Sequence, residues 1–368
     1  MAPCKKVLML CGDYMEDYEA AVPFYALAAF GVAVDCVAPG KKPPGDACLT
    51  AVHEFLGHDL YTELPGHRFA VTADFAAAAA ADASRYDALV VPGGRFVERL
   101  SVDPLAVSLV AAFAGEGETA TRRRPVVVTA SAGPRTARSS GSSSAPWAAA
   151  SPAAAARPSS SSAPYLSLSL AAVNASPAAR LTRPLSTQDY VDDYEANVPF
   201  RALAGVGCRV EAACPTKRKG EACVTAIYDA TPAAASDERR GHNFAVTADW
   251  GDVDADRYAC VVVPGGRAPE LLATRGEAVA LVREFAGKGK VVASIDQGHL
   301  LLAAVGLLDG RSCASGVATR VVAGLAGAAS VRHGGAVADG KLVTAASWPD
   351  LAEFIAHIIS LLGITVSF

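Results

Sequence analysis

The sequence is short of several features that would narrow its role quickly. No apolar run is long enough to cross a bilayer, since stretches such as Val7 to Leu10 and Cys260 to Val263 end at Gly, Pro or charge. No membrane helix is therefore expected. The N-terminus enters a strand-like run at once, without an apolar segment leading to a small-residue cleavage site, so a cytoplasmic protein is expected. Nine cysteines include no CxxC pair, which argues against a zinc ribbon or a disulfide framework and for buried reduced thiols. No HxxxH or paired acidic spacing accompanies the recurring histidines to point to a metal, and no GxxxxGK or GxGxxG run follows the Pro-Gly-Gly-Arg turns to make them a phosphate loop. Neither metal nor cofactor is expected. Acidic residues are missing from 119–188, which hold eight arginines and no Lys, Asp or Glu; the rest of a chain of net charge −4 thus carries −12. An acidic body excludes nucleic acid as the main partner, because phosphate binding needs a basic surface.

What is present is a duplication. With 368 residues, 51% of them hydrophobic, the chain can bury two cores. Residues 13–24 return as residues 189–200, pairing Glu19 with Glu195, and Gly66-His67-Arg68-Phe69 returns as Gly241-His242-Asn243-Phe244. Val90-Val91-Pro92-Gly93-Gly94-Arg95 likewise returns as Val262-Val263-Pro264-Gly265-Gly266-Arg267. Short Val- and Leu-rich runs alternate with amphipathic stretches such as Leu271 to Phe285, which predicts a parallel sheet covered by helices. Sites in such sheets gather beyond the carboxyl ends of the strands, where the Glu19, Glu195 and Pro-Gly-Gly-Arg turns should converge.

The first copy breaks off after its strand Val126-Val127-Val128, where Ser, Ala, Pro and Arg clusters run to about residue 185. That composition cannot bury enough apolar surface to fold alone, and disorder is expected. The domains expected are 1–128, incomplete, and 186–368, separated by the low-complexity segment 129–185. The second copy starts poorly, with Arg183-Pro184-Leu185 where copy one has Lys6 to Cys11, but continues through the strand Lys341 to Thr344 and a terminal helix from Leu351 to Leu362. Such an abrupt compositional change is what a reading-frame or splice-model error leaves behind. A truncated first copy would also leave an open sheet edge.

Cys11-Gly12-Asp13-Tyr14-Met15-Glu16-Asp17-Tyr18-Glu19, both Pro-Gly-Gly-Arg turns and Ser294-Ile295-Asp296-Gln297-Gly298-His299 resemble the DJ-1/PfpI superfamily, specifically its tandem-domain branch. The resemblance spans roughly residues 5–128 and 188–368. It implies a duplicated α/β, flavodoxin-like parallel-sheet sandwich with the first copy truncated. It also implies a cysteine on a strand-to-helix elbow beside a glutamate from the first strand's turn. Activities it implies include cofactor-free conversion of methylglyoxal to lactate, as in glyoxalase III, protein deglycation, peptidase or amidase action, and chaperone-like roles. A small aldehyde as ligand and a homo-oligomer follow from the resemblance only.

A thiolate at a helix N-terminus is stabilised by backbone N–H groups while a nearby glutamate shuttles a proton. Here the family's Cys-His-Gly reads Asp296-Gln297-Gly298, so the nucleophile is missing and weak or absent catalysis is expected. Asp296 has several readings: a residue that tolerates strained elbow geometry and caps the next helix, a partner of Glu195 in a proton-sharing pair, or an imitation of an oxidised cysteine. Such a pair would serve a hydrolase; a non-enzymatic, stress-associated binding or chaperone-like protein is the other alternative. His299, three residues on, is expected either to face the crevice as a base or to be a cap or surface histidine. Gly93, Gly94, Gly265 and Gly266 are expected to bring backbone N–H groups, notably that of Gly266, to the elbow as an oxyanion or carboxylate cradle with Gln297 and Gly298. In copy one Ser131 stands in an x-Ser-x-Gly run without a following helix, a weak nucleophile candidate. His67 and His242 recur in both copies, while copy one alone has His53 and His58. Cys48, Cys223 and Cys313 are expected to be packed rather than reactive.

Overall fold

The structure, a computed structural model, describes residues 5–54, 62–80, 83–114, 126–129, 165–169, 190–231 and 234–366. The first copy holds four parallel strands in the order Ala33–Val37, Lys6–Leu10, Ala88–Val91 and Val126–Thr129. Lys6–Leu10 lies inside the sheet because Val7 to Leu10 bury on both faces, as a continuous apolar run requires. The second copy has seven strands, ordered Ala248–Asp249, Arg209–Cys214, Tyr165–Ser169, Cys260–Val263, Val291–Ile295, Leu342–Ala345 and Ala336–Asp339. All neighbours are parallel except the last pair. The fold is the expected flavodoxin-like α/β sandwich, present twice.

Two expectations need correction. Tyr165–Ser169 forms a strand inside the segment expected to be disordered, in the place that Lys6–Leu10 holds in copy one, while residues 183–188 lie outside the described residues. It pairs on one side with Arg209–Cys214 and on the other with Cys260–Val263, so the sheet is continuous through it. The helix expected over Leu271 to Phe285 is two helices, Ala268–Leu272 and Gly276–Gly287. The Thr274 hydroxyl donates to the Leu271 carbonyl at 2.8 Å, and Arg275 is extended, so the first helix closes before Gly276.

Each copy carries an antiparallel arm, Ala47–Glu54 with Thr62–Ala70 and Ala222–Thr231 with Ala234–Ala245. The copies meet through Asp17–Ala29, which packs on Asp193–Gly205 and on the terminal helix Leu351–Leu361. The contact is reciprocal. The Tyr18 hydroxyl donates to Asp193 Oδ1 at 3.0 Å, and the Tyr194 hydroxyl donates to Asp17 Oδ1 at 2.7 Å. Tyr18 stacks on His242 and Tyr194 on His67, each at 3.5 Å between centroids. Each aspartate also accepts from its own copy, Asp17 from Thr50 and the His67 backbone and ring, Asp193 from Thr225 and the same groups of His242. Burial alone would raise both carboxyls; the histidines beside them outweigh it and hold both low. Buried charges persist here because their lone pairs are filled.

Candidate functional site

The geometry of the site starts from a helix cap. Asp192 precedes Asp193–Gly205, and its Oδ1 accepts from the Glu195 backbone N–H at 3.0 Å; Glu16 does the same for Glu19 at 3.0 Å. The cap aims the third helical residue at the Pro-Gly-Gly turn. Glu195 Oε2 accepts from the Gly265 N–H at 2.9 Å, and Glu19 Oε2 from the Gly93 N–H at 2.5 Å. The Trp348 N–H also donates to Glu195. Gly94 and Gly266 bridge to Met15 and Val191 with φ of 103° and 79°, and a Cβ on either would strike that backbone.

The elbow follows Val291–Ile295. Asp296 sits at φ 49°, a left-handed conformation that Asp tolerates better than most residues, and the chain turns through Gly298 into His299–Val305. A Cβ on Gly298 would lie 2.5 Å from the Val263 carbonyl oxygen, so only glycine lets the elbow approach that strand. Glu195 and Asp296 both press on Gly265, where an added Cβ would strike Glu195 Oε2 and lie 2.9 Å from Asp296 Cβ. Glu195 and Asp192 are buried and Asp296 is largely so. Burial, with the neighbouring carboxylates adding to it, pushes Glu195 well above the usual range and Asp192 up to about 7. Burial likewise raises Asp296 to about 6, against the Gln297 N–H that favours its anion. Glu195 and Asp296 thus stand against one glycine, and Asp192, whose backbone N–H donates to the Gly265 carbonyl at 3.1 Å, adds a third carboxyl of raised affinity for protons nearby.

The cradle is divided differently from the expectation. Gly265, not Gly266, supplies the N–H that holds a carboxylate, while the Gly266 N–H donates to Gln297 Oε1 at 3.2 Å. His299 departs from both of its expected positions. It is buried, its Nδ1 accepts from the Ser294 hydroxyl at 3.1 Å, and its Nε2 donates to the Ala314 carbonyl at 2.7 Å. Both ring nitrogens are used inside the core, and burial lowers its pKa to about 4, which keeps the imidazole neutral.

In copy one Glu19 is half-buried and burial raises its pKa, but Ser131 and the rest of that elbow lie outside the described residues, as does His58. A cavity of about 240 Å³ in copy one is lined by Cys11, Asp13, Lys41, Phe96 and Arg99 among others, and Glu19 is not in its lining. The turn arginines hold the arms: Arg95 bonds Glu63 at 2.6 and 2.9 Å, and Arg267 pairs with Glu238 at 3.3 Å. His53 bonds Glu63 at 3.3 Å. Asp17, His67 and Asp193 offer ligand atoms within 4.8 Å of one another, yet both aspartates already accept several bonds, and only His67 Nε2 lacks a partner. Sequence reasoning missed Asp192; its signal was the Asp-x-x-Glu capping spacing, Asp192 to Glu195.

The DJ-1/PfpI family model matches residues 5–122 and 185–361. "DJ-1 protein homolog E" of Arabidopsis thaliana is 41% identical over 400 residues, covering 99% of this chain and 98% of its own. "Protein DJ-1 homolog D" of the same plant is 38% identical over 396 residues, covering 100% of each. A protein named a deglycase in Thermococcus kodakarensis is 35% identical over 123 residues, 33% of this chain and 74% of its own. With both copies matched by the family model and whole-length relatives at this identity, the chain belongs to the DJ-1/PfpI family.

Proposed function

We propose that copy two is a binding site for small carbonyl compounds that has lost covalent catalysis. The observation that carries this reading is Asp296 at the elbow, at φ 49° and against Gly265 with Glu195. A thiol at such a point adds to an aldehyde to give a thiohemiacetal; a carboxylate there forms no adduct of comparable stability and leaves only hydrogen bonding and proton transfer. Relatives named deglycases support a carbonyl ligand, as methylglyoxal or a sugar-derived aldehyde would be. Cytoplasmic location fits eight described cysteines that are all buried and none of them in a disulfide.

The crowded carboxyls favour a second reading, a weak acid/base activity in which Glu195 and Asp296 share a proton. One experiment separates the two. Methylglyoxal is supplied to the wild-type chain and to Asp296→Cys and Asp296→Asn variants, with lactate measured and folding checked by circular dichroism. Binding without turnover in the wild type, and lactate formation gained in the cysteine variant, is the expected result. Turnover by the wild type that Asp296→Asn abolishes would establish the acid/base reading instead. No saturable binding by any folded variant would end both.

A further inference from the structure

An open cavity of about 480 Å³ lies at the carboxyl ends of two neighbouring strands of the copy-two sheet, Arg209–Cys214 and Ala248–Asp249. Ligands of parallel sheets collect at such ends. No residue of this cavity belongs to the site around Glu195 and Asp296. Its lining includes the cations Lys217, Arg218 and Arg275 against a single carboxylate, Asp249, for a net charge of +2. The carboxylate is engaged by the protein itself, since Asp249 Oδ1 accepts from the Lys219 backbone N–H at 2.9 Å. Lys217 Nζ donates to the Ala222 carbonyl at 2.6 Å, which uses one of its three N–H groups. Arg275 gives Nη1 to the exposed Glu277 at 2.7 Å, but its buried Nε has no hydrogen-bond partner. A buried guanidinium N–H left so is costly, and an acceptor brought into the cavity would relieve it.

Copy one provides the contrast. Ala38, Lys41 and Asp103 stand where copy two has Cys214, Lys217 and Arg275, the last pair lying eight residues beyond the matched turn arginines Arg95 and Arg267. Asp103 Oδ1 accepts from the backbone N–H groups of Leu105 and Ala106 at 2.9 and 3.0 Å, so the chain's own carboxylate caps Pro104–Ala114. Lys41 is paired with Asp13 at 3.1 Å. The smaller copy-one cavity, lined by Asp13, Lys41, Arg99 and Asp103, carries no net charge. In copy two the capping carboxylate has become a guanidinium, and Gly276–Gly287 starts without a side-chain cap. Both differences favour an anion entering from solution.

From the cationic lining, the unpartnered Arg275 Nε and the carboxylate that copy one has and copy two lacks, we infer that this cavity binds a small phosphomonoester. The charge of such a group, about −2 at neutral pH, matches the +2 of the lining, and its three terminal oxygens suit several cationic donors at once. The phosphate lies between Arg275 and Lys217. Its organic part fills the remaining space against the half-buried Trp250.

The test is calorimetric titration of the full chain at pH 7.5 and constant ionic strength, with glycerol 3-phosphate, inorganic phosphate and glycerol as probes. Saturable binding of glycerol 3-phosphate, weaker binding of phosphate and none of glycerol is expected. Arg275→Asp restores the cap of copy one, so this variant should melt no lower than the wild type in phosphate-free buffer while its affinity for glycerol 3-phosphate falls at least about tenfold. Arg275→Gln, which removes the charge without adding a cap, should lose affinity likewise, so the comparison does not depend on one variant folding. No saturable binding of either phosphate compound by the folded wild type, or binding that both Arg275 variants retain in full, overturns the inference. Glycerol 3-phosphate has no carbonyl group, so the outcome is independent of methylglyoxal binding at Asp296.

Discussion

Glu16 and Asp192 hold equivalent positions in the two copies and differ by one methylene, and that methylene decides whether a buried histidine of the opposite copy is satisfied. Glu16 caps its helix with one oxygen and meets His242 Nε2 with the other at 3.0 Å. Asp192 caps its helix in the same way, and His67 Nε2 is left buried without a partner. The interface is symmetric in plan and asymmetric in this one bond.

Lengthening Asp192 should complete it. Asp192→Glu is expected to stabilise the chain by about 1 kcal/mol, and Glu16→Asp to cost about 1 to 3 kcal/mol, because a buried donor without an acceptor bears its full desolvation penalty. Urea denaturation of both variants checks the signs. Destabilisation by Asp192→Glu would mean that the His67 ring has no room for a partner.

Asp296 should weaken the fold at neutral pH. Its folded pKa, about 6, lies above the ordinary carboxylate value of 3.8, so its native state binds the proton more tightly than the unfolded chain. Stability from this group is therefore full below pH 3.8 and is lost as pH rises through 6. Asp296→Asn is expected to add about 1 to 3 kcal/mol at pH 7 to 8 and nothing near pH 4. Denaturant midpoints of the two proteins across that range should diverge on going alkaline.

His299 works in the opposite sense. Its folded pKa of about 4 lies below the ordinary 6.5, because burial disfavours the imidazolium. The unfolded state takes up the proton first as pH falls, so stability is present above pH 6.5 and lost toward pH 4, by about 3 kcal/mol from this group alone. A His299→Gln variant should lose stability at pH 7 yet show a flatter acid limb.

The Tyr18 and Tyr194 hydroxyls should each contribute about 1 to 3 kcal/mol, since their removal leaves a buried carboxylate one donor short. Tyr18→Phe and Tyr194→Phe, measured singly and together, form a cycle. Both bonds belong to one network around Asp17 and Asp193, so the losses should not add.

Ser167→Pro tests the unexpected strand. Residue 167 lies within a strand paired on both sides, where proline removes a ladder donor, and a loss of about 3 kcal/mol or more is expected. An unchanged melting curve would show that copy two folds without Tyr165–Ser169.

The duplication, the parallel sheets, the turn glycines and the convergence of Glu195 with Asp296 were all legible in the residues. They rest on repeated strings and on conformations that only glycine or a small polar residue adopts easily. Tyr165–Ser169 was not legible, because Tyr-Leu-Ser-Leu-Ser alternates too briefly to stand out from the Ser- and Ala-rich run around it. His299 was misread because spacing along a helix gives a direction only once the neighbouring strands are placed, and the Ala314 carbonyl is 15 residues away. The interface was half written: Asp-Tyr-Glu and Gly-His-x-Phe occur twice, but no string reveals that each tyrosine crosses to the other copy.

The crossed tyrosines also bear on how the two halves have been free to change. A pair of identical subunits meeting this way alters both of its sites with every substitution, and falls apart on dilution. Here both halves are carried on one chain, so each stays at high effective concentration to the other. One half can then drift on its own account, and Glu16 against Asp192, or Ala38 against Cys214, records such a departure.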